Sequence, residues 1–312
     1  EQKPDIYLGI EDIWGLNEFW SKLWWNKINS IIWTPIDSVP LLDKHVKAAK
    51  NTDNIIVQAS FAHKALKKQG FNNSHLMPVP IDVSNFSRFS DEIRSKLRSS
   101  HKIDKKDFIV GFVFRNQLRK SVPNLLDGFS QFLQENPGSQ GKLLLHTHWS
   151  EGWDIPRLLK EKDIDPNKVL TTYYCDKCKR YEIKPFTGQD LDCNLCGSKK
   201  SQQTSQINRG LSEDQLNEIY NLMDVYCHPF TSGGQEIPIQ EAKLTGLVTL
   251  VTNYSCGEDY SSQDSGGLPL DWSEYREPGT QFIKASTCSK SIATQLSHVY
   301  NLPKKELSKM GK

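Results

Sequence analysis

The sequence predicts an α/β fold of two Rossmann-like units, and three observations predict it. Apolar runs of strand length alternate with helix-like stretches twice along the 312 residues. Such alternation builds parallel sheets covered by helices. A glycine turn near residue 233 joins a strand to a helix N-terminus, and four paired cysteines interrupt the second series.

The first series opens with Asp5–Ile10, Ser30–Thr34 and Asn54–Ala59 as strands. A helix over Ala62–Gln69 and a short strand around Leu76–Pro80 complete it. The stretch Ser87–Asp107 carries Arg94, Lys96, Arg98, Lys102, Lys105 and Lys106. A charged run of this kind reads as a solvated helix face plus linker. The domain boundary is therefore set there, giving residues 1–103 and 104–312.

Phe108–Phe114 opens the second series as a buried strand. Leu125, Phe129, Phe132 and Leu133 then form one helical stripe. Leu143–Leu145 is a strand, Ile155–Lys162 a helix and Val169–Tyr173 a strand. Ser212 and Gln215 form a capping box before the stripe Leu216, Ile219, Tyr220 and Met223.

Asp224–Pro229 is the next strand, followed by Ser232-Gly233-Gly234-Gln235-Glu236. Pro238 can open a helix because proline at its first position gives up no needed N–H. Glu241 is expected in the first turn, Gly246 stops the helix, and Leu247–Thr252 is a parallel strand. Loop amides at a helix N-terminus make an anion site at the carboxyl edge of a βαβ unit. A carboxylate at Glu241 is placed to hold ribose hydroxyls. The plainer reading is a simple turn, with Glu241 as a partner of the helix dipole.

Cys175-x2-Cys178 and Cys193-x2-Cys196, fourteen residues apart, have nearly the spacing of a zinc ribbon over 173–206. Four thiolates leave no open coordination position, so a Zn2+ held there is structural. Two disulfides or unrelated thiols are the alternatives. Cys227, Cys256 and Cys288 read as free thiols of a reducing, cytoplasmic compartment. A net charge of +2 does not point to a polyanion partner, and no apolar run reaches membrane-spanning length. Opening on Glu1 rather than Met, and ending in the polar stretch Lys304–Lys312, suits a fragment.

His146 and His148 flank Thr147 at a strand end, with Glu151, Trp153 and Asp154 beyond. Alternate strand residues share a face, so a metal pair is one reading. Cleft-lining polar residues, with His146 near a nucleotide, are the other. The loop Asn253–Asp259, which follows the strand after Glu241, is expected to edge the same cleft.

Several blocks, taken in order, resemble the retaining glycosyltransferases of family 4, whose GT-B fold sets two Rossmann-like domains face to face. They are Lys3-Pro4-Asp5-Ile6, Thr34-Pro35-Ile36-Asp37, Gln58-Ala59-Ser60 and Pro78–Val83 with Phe86. In the second unit they are Phe112-Val113-Phe114-Arg115 with Lys120, and Asp224–Pro229 followed by Gly233–Glu241. The resemblance spans nearly the whole chain outside the ribbon and begins partway through the family's first domain, whose first strand and glycine-rich loop have no counterpart. It implies an incomplete N-terminal domain that receives the acceptor, and a second domain that binds a nucleoside-diphosphate sugar.

By that resemblance Arg115 and Lys120 stabilise the leaving diphosphate without a metal, and Glu241 holds the ribose. Amides at Gly233, Gly234 and Gln235 face the sugar or diphosphate, and Asp37 approaches the reacting centre from the acceptor side. Aligned on Pro238 and Glu241, the first glutamate of the family signature, which contacts the donor sugar, falls on Gly233; Glu236, three residues late, is the acid that can swing in from the loop as a catalytic replacement. That departure leaves an inactive scaffold as one alternative. Another is a nucleic-acid-directed enzyme acting on a modified base, gripping DNA or RNA through Lys177, Lys179, Arg180, Lys184, Lys199 and Lys200 of the ribbon. The acceptor is otherwise open among glycan, protein and lipid.

Overall fold

A computed structural model describes residues 4–16, 19–206 and 210–311. Lys3 of the first block and Lys312 of the terminal lysine stretch lie outside the described residues.

The first unit is a four-stranded parallel sheet in the order β1-β2-β3-β4. Its strands are β1 (Ile6–Ile10), β2 (Asn29–Trp33), β3 (Asn54–Val57) and β4 (Ser74–Leu76). Helix α1 (Asp43–Asn51) joins β2 to β3, and α2 (Ser60–Lys68) joins β3 to β4. The strand ends at Leu76, short of the expected Leu76–Pro80, with Met77 N still donating to Val57 O at 2.9 Å, because the next residue facing β3, Val79, gives both its backbone groups to the Gln235 amide.

The charged run expected to be solvated is helix α3 (Asp91–Ser100), and two of its arginines face inward. Arg98 is 8 % exposed and donates to both Asp224 oxygens at 3.0 and 2.9 Å. Arg94 donates to the carbonyls of Asn221 and Met223 at 3.0 and 2.9 Å. Carbonyls left free at a helix C-terminus attract guanidinium groups, and that outweighs solvation.

The second unit contains an eight-stranded sheet whose central path runs β12-β11-β10-β5-β6-β7-β8. In chain order come β5 (Phe108–Val113), α4 (Val122–Glu135), β6 (Gly141–His146), α5 (Ile155–Glu161) and β7 (Val169–Cys175). Then follow β8 (Tyr181–Pro185), β9 (Gln202–Thr204), α6 (Glu213–Leu222), β10 (Val225–His228), α7 (Ile237–Leu244) and β11 (Thr249–Thr252). Next are β12 (Gly267–Leu270), a hairpin of β13 (Trp272–Arg276) and β14 (Ile283–Thr287), α8 (Ser289–Asn301) and α9 (Lys304–Met310). The six strands β5, β6, β7, β10, β11 and β12 are parallel, and both faces of β5 are buried. Its continuous apolar run is what a doubly covered strand needs.

β8 and β9 both pair antiparallel with β7. The ribbon is thus an extension of the sheet edge, and Cys175 is the last residue of a sheet strand. Among the described residues no helix is long and apolar enough to cross a membrane.

Candidate functional site

β10 lies on one side of β5 and β6 on the other. The chain leaves β5 towards β6 and later returns to the opposite side, so the loops after β5 and β10 diverge. A crevice opens at such a switch point, outside the carboxyl ends of the strands.

Four polar groups meet there. After β5, residues Leu118–Lys120 make a 3-10 turn, and Ser121 caps α4 in the left-handed region, at φ 42°. That turn buries the Lys120 side chain to 4 % exposure against Glu236. Glu236 is the N-cap of α7, but its side chain does not cap the helix. Its carboxylate pairs with the Lys120 ammonium, with Arg119 Nη1 at 2.6 Å and with His228 Nε2 at 3.2 Å. His228 closes β10, and its Nδ1 lies 2.8 Å from the Tyr226 hydroxyl, which itself donates to the Val113 carbonyl at 3.0 Å.

Burial pushes the Glu236 carboxyl up, but Lys120, His228 and Arg119 outweigh it and hold it well below the usual carboxylate range. The Lys120 ammonium is pushed down by burial, with Glu236 opposing. Burial lowers His228 to about 4, helped by Lys120 and resisted by Glu236. At neutral pH the cluster is therefore one carboxylate, two cations and a neutral imidazole.

Glu236 also occupies the space of a missing side chain. A Cβ at Gly233 would lie 2.6 Å from Glu236 Oε1 and 3.3 Å from Cys256 Sγ. The carboxylate sits where the side chain of residue 233 would begin.

The other expected residues are distributed unevenly. Arg115 is half exposed and points to Glu151 at 3.3 Å, away from the cluster. Arg119, which sequence reasoning passed over, provides the guanidinium. Its signal was the Arg-Lys doublet directly before a helix start. Pro238 is the second helical residue rather than the first, and Glu241 lies in the second turn of α7 rather than the first. Its carboxylate accepts from the Tyr220 hydroxyl at 2.6 Å, and burial pushes its pKa up.

His146 ends β6, 9 % exposed, with Nδ1 3.1 Å from Thr172 Oγ1. His148 contacts Gln206 instead. Among the described residues only the four cysteines gather as a metal-type cluster, so the two histidines do not form one.

The loop Gly233–Gln235 is packed against the first unit. A Cβ at Gly234 would collide with Pro35. The Gln235 amide bonds the Val79 backbone, accepting at 2.6 Å and donating at 3.1 Å. Asp37, 38 % exposed, accepts from Ser232 Oγ at 3.2 Å. The Ser255 hydroxyl lies 2.6 Å from the Asp37 carbonyl and 2.7 Å from that of Gly233, with one proton to share between them, so the Asn253–Asp259 loop does edge this crevice. The acid expected from the acceptor side and the donor-side loop thus face each other.

The four cysteines are free thiols whose sulfurs all lie within 4.8 Å of one another. Cys175 and Cys196 sulfurs are 3.8 Å apart, and those of Cys178 and Cys193 3.9 Å. A tetrahedron with metal–sulfur bonds of about 2.3 Å has edges of about 3.8 Å. The donor set therefore fits Zn2+.

One stability prediction arises here. Burial lowers His45, His146 and His228 to about 4. A histidine depressed when folded binds its proton more readily unfolded, so stability is full above about pH 6.5 and falls as pH drops towards 4. The thermal midpoint is expected to fall between pH 7 and pH 5, and a His146→Gln variant is expected to show a shallower slope by calorimetry.

The molecule is thus a doubly wound unit with a crevice at its switch point, faced by a second parallel α/β unit. Solved structures share this arrangement. Over 91 % of its length the chain is similar to the sucrose-phosphate synthase of Thermosynechococcus elongatus, with TM-score 0.63 and 14 % identity, covering 61 % of that protein. Against HepE of Anabaena in complex with UDP the TM-score is 0.62 and the identity 13 %, covering 91 % of this chain and 66 % of that one. Against the pneumococcal O-GlcNAc transferase GtfA in complex with UDP and GlcNAc the TM-score is 0.59 and the identity 12 %, over 97 % of this chain and 51 % of that one. The chain therefore has the GT-B fold, and spans less than two thirds of the length of each of these structures. No family model and no curated protein matches the sequence.

Proposed function

We propose that the chain is a cytoplasmic glycosyltransferase of the family 4, retaining type, which moves a sugar from a nucleoside diphosphate to an acceptor. The second unit, residues 104–312, binds the donor, and residues 1–103 present the acceptor and include the linker, which from Ser87 onward is bonded to the second unit. The observation that carries this reading is the buried Glu236 carboxylate, held by Lys120, Arg119 and His228 at the switch point opposite Asp37. The likeness to two structures that hold UDP supports it.

In this reading Lys120 and Arg119 face the negative charge that builds on the diphosphate as the glycosidic bond breaks. Arg119 is 43 % exposed and can turn onto a bound diphosphate while Lys120 keeps its ion pair. Glu236 supplies the acid that Gly233 lacks and touches the donor sugar, which favours an active enzyme over an inert scaffold. Glu241 with Tyr220 binds the ribose. Pro35 against Gly234 and Gln235 against Val79 close the crevice to water, which limits donor hydrolysis.

The cysteines hold a structural Zn2+ that fastens β8 and β9 to the sheet edge. Continuity of β7 with the ribbon favours that staple role over a grip on nucleic acid.

Calorimetric titration with UDP tests the donor site. Lys120→Ala and Arg119→Ala are each expected to weaken binding roughly 10- to 100-fold, the value of one charge-assisted hydrogen bond. Arg115→Ala is expected to change it little. A wild-type chain that binds no UDP, GDP or ADP removes the proposal.

A further inference from the structure

The hairpin β13–β14, inserted between the last parallel strand and α8, belongs to none of the motifs above. It reaches across to the first unit, where Ile283 N donates to Val39 O at 2.7 Å. It also touches the donor-side loop, where Ala285 N donates to Thr231 O at 2.9 Å. Between these two anchors β14 buries a lysine. Lys284 is 7 % exposed, and its ammonium donates to Ser38 Oγ at 2.9 Å and Ser232 Oγ at 2.7 Å. The Asp37 carboxylate lies 3.7 Å away.

An ammonium taken out of water needs a strong local reason, because burial of an unpaired charge is costly. Here the compensation consists of two hydroxyls from opposite sides of the crevice and one carboxylate. Ser38 neighbours Asp37 in sequence, and Ser232 neighbours Gly233. The same ammonium therefore joins the loop carrying the acceptor-side acid to the loop whose missing side chain Glu236 replaces. Ser232 links to Asp37 as well, closing a small ring of Lys284, Ser232 and Asp37.

We propose that Lys284 is a positioning residue that acts through Asp37, fixing that carboxylate against the donor loop and setting the distance between acceptor and donor. This rests on the glycosyltransferase reading and adds to it an inserted element that aligns the two halves of the site. An arginine at 284 can make the same bonds, whereas methionine keeps the stem and loses all three interactions.

The test uses the whole chain, with UDP as the binding probe and hydrolysis of UDP-glucose as the turnover probe. In that reaction the bond from sugar C1 to phosphate oxygen breaks, water gives its hydroxyl to C1, and the remaining proton goes to the solvent with release of UDP. Lys284→Met is expected to bind UDP as wild type does, with kcat down roughly 30- to 100-fold and KM little changed, as a misplaced group gives. Lys284→Arg is expected to recover most of that loss. Asp37→Asn is expected to fall as far, and the double variant no further, because residues acting as one unit are not additive. Should Lys284→Met fail to fold, Lys284→Gln carries the same expectations.

Unchanged turnover in the variant beside an active wild type overturns this proposal alone. Losses that multiply in the double variant, or lost UDP binding, also overturn it. A wild-type chain that neither binds UDP nor hydrolyses UDP-glucose overturns the glycosyltransferase reading and this one with it.

Discussion

Glu236→Gly is expected to lower donor turnover about 100- to 1,000-fold, the usual scale for removing one preorganised electrostatic contact. It is also expected to cost about 3–5 kcal/mol of stability, because the 4 %-exposed Lys120 ammonium loses its carboxylate in a buried site. The informative variant is the exchange Gly233→Glu/Glu236→Gly. With Glu236 gone, the volume 2.6 Å from the Cβ position of residue 233 is empty. A carboxylate starting at 233 then enters the same surroundings of Lys120, Arg119 and His228. We expect the exchange to restore both thermal stability and a substantial part of turnover, while Gly233→Glu alone crowds the intact Glu236 and lowers both. Calorimetry and UDP-glucose turnover on the three variants decide it. If the exchange behaves no better than Glu236→Gly alone, Glu236 is not the counterpart of the acid missing at 233.

Removal of the metal is the second large effect. The ribbon between Cys175 and Cys196 is too short to fold on a core of its own, since domains below about 40 residues need a metal or disulfides. Structural zinc contributes about 10–16 kcal/mol of apparent binding free energy in isolated ribbon-sized folds. β7 runs from the sheet into the ribbon, so its loss releases both partners of β7 at that end. Chelation, or Cys175→Ser/Cys178→Ser, is expected to lower the thermal midpoint by about 10 °C, given a loss of about 3–5 kcal/mol in a domain of this size. Elemental analysis is expected to give one zinc per chain. A metal-free chain whose midpoint ignores chelators contradicts the assignment.

Periodicity carried most of the fold. The buried run Phe108–Phe114 and the capping box at Ser212 and Gln215 both stand where the sequence indicated. These are local signals, set by hydrogen bonding and burial within a few residues. The cysteine spacing was equally local, and the four sulfurs do converge. What the sequence hid was long-range. Nothing near Arg98 marks Asp224, 126 residues on, as its partner. That Glu236 can swing in towards Gly233 was legible, but its partners Arg119 and His228 were not, because they depend on the turn at Ser121 and on the end of β10. Arg115 illustrates the converse, since the right residue type at the right spacing turns towards Glu151 when that acid is nearer. Lys284 lies in a hairpin with no motif, and only its two anchors reveal it.

The arginines of α3 also determine where the molecule can bend. Arg94 and Arg98 bolt α3 to the end of α6 and to Asp224, while Ser87 N and Phe89 N donate to Asn217 and Asn221. The connecting segment thus travels with the second sheet from residue 87 onward. On the other side, β4 ends at Leu76. Any hinge rotation between the sheets is confined to residues 77–86, and Pro78 and Pro80 fix two of the backbone angles there. The pivot narrows to the short strap beyond Pro80, and the Gln235–Val79 pairing beside it must release together with the Ile283–Val39, Lys284–Ser38 and Ser255–Asp37 bonds before the halves swing apart.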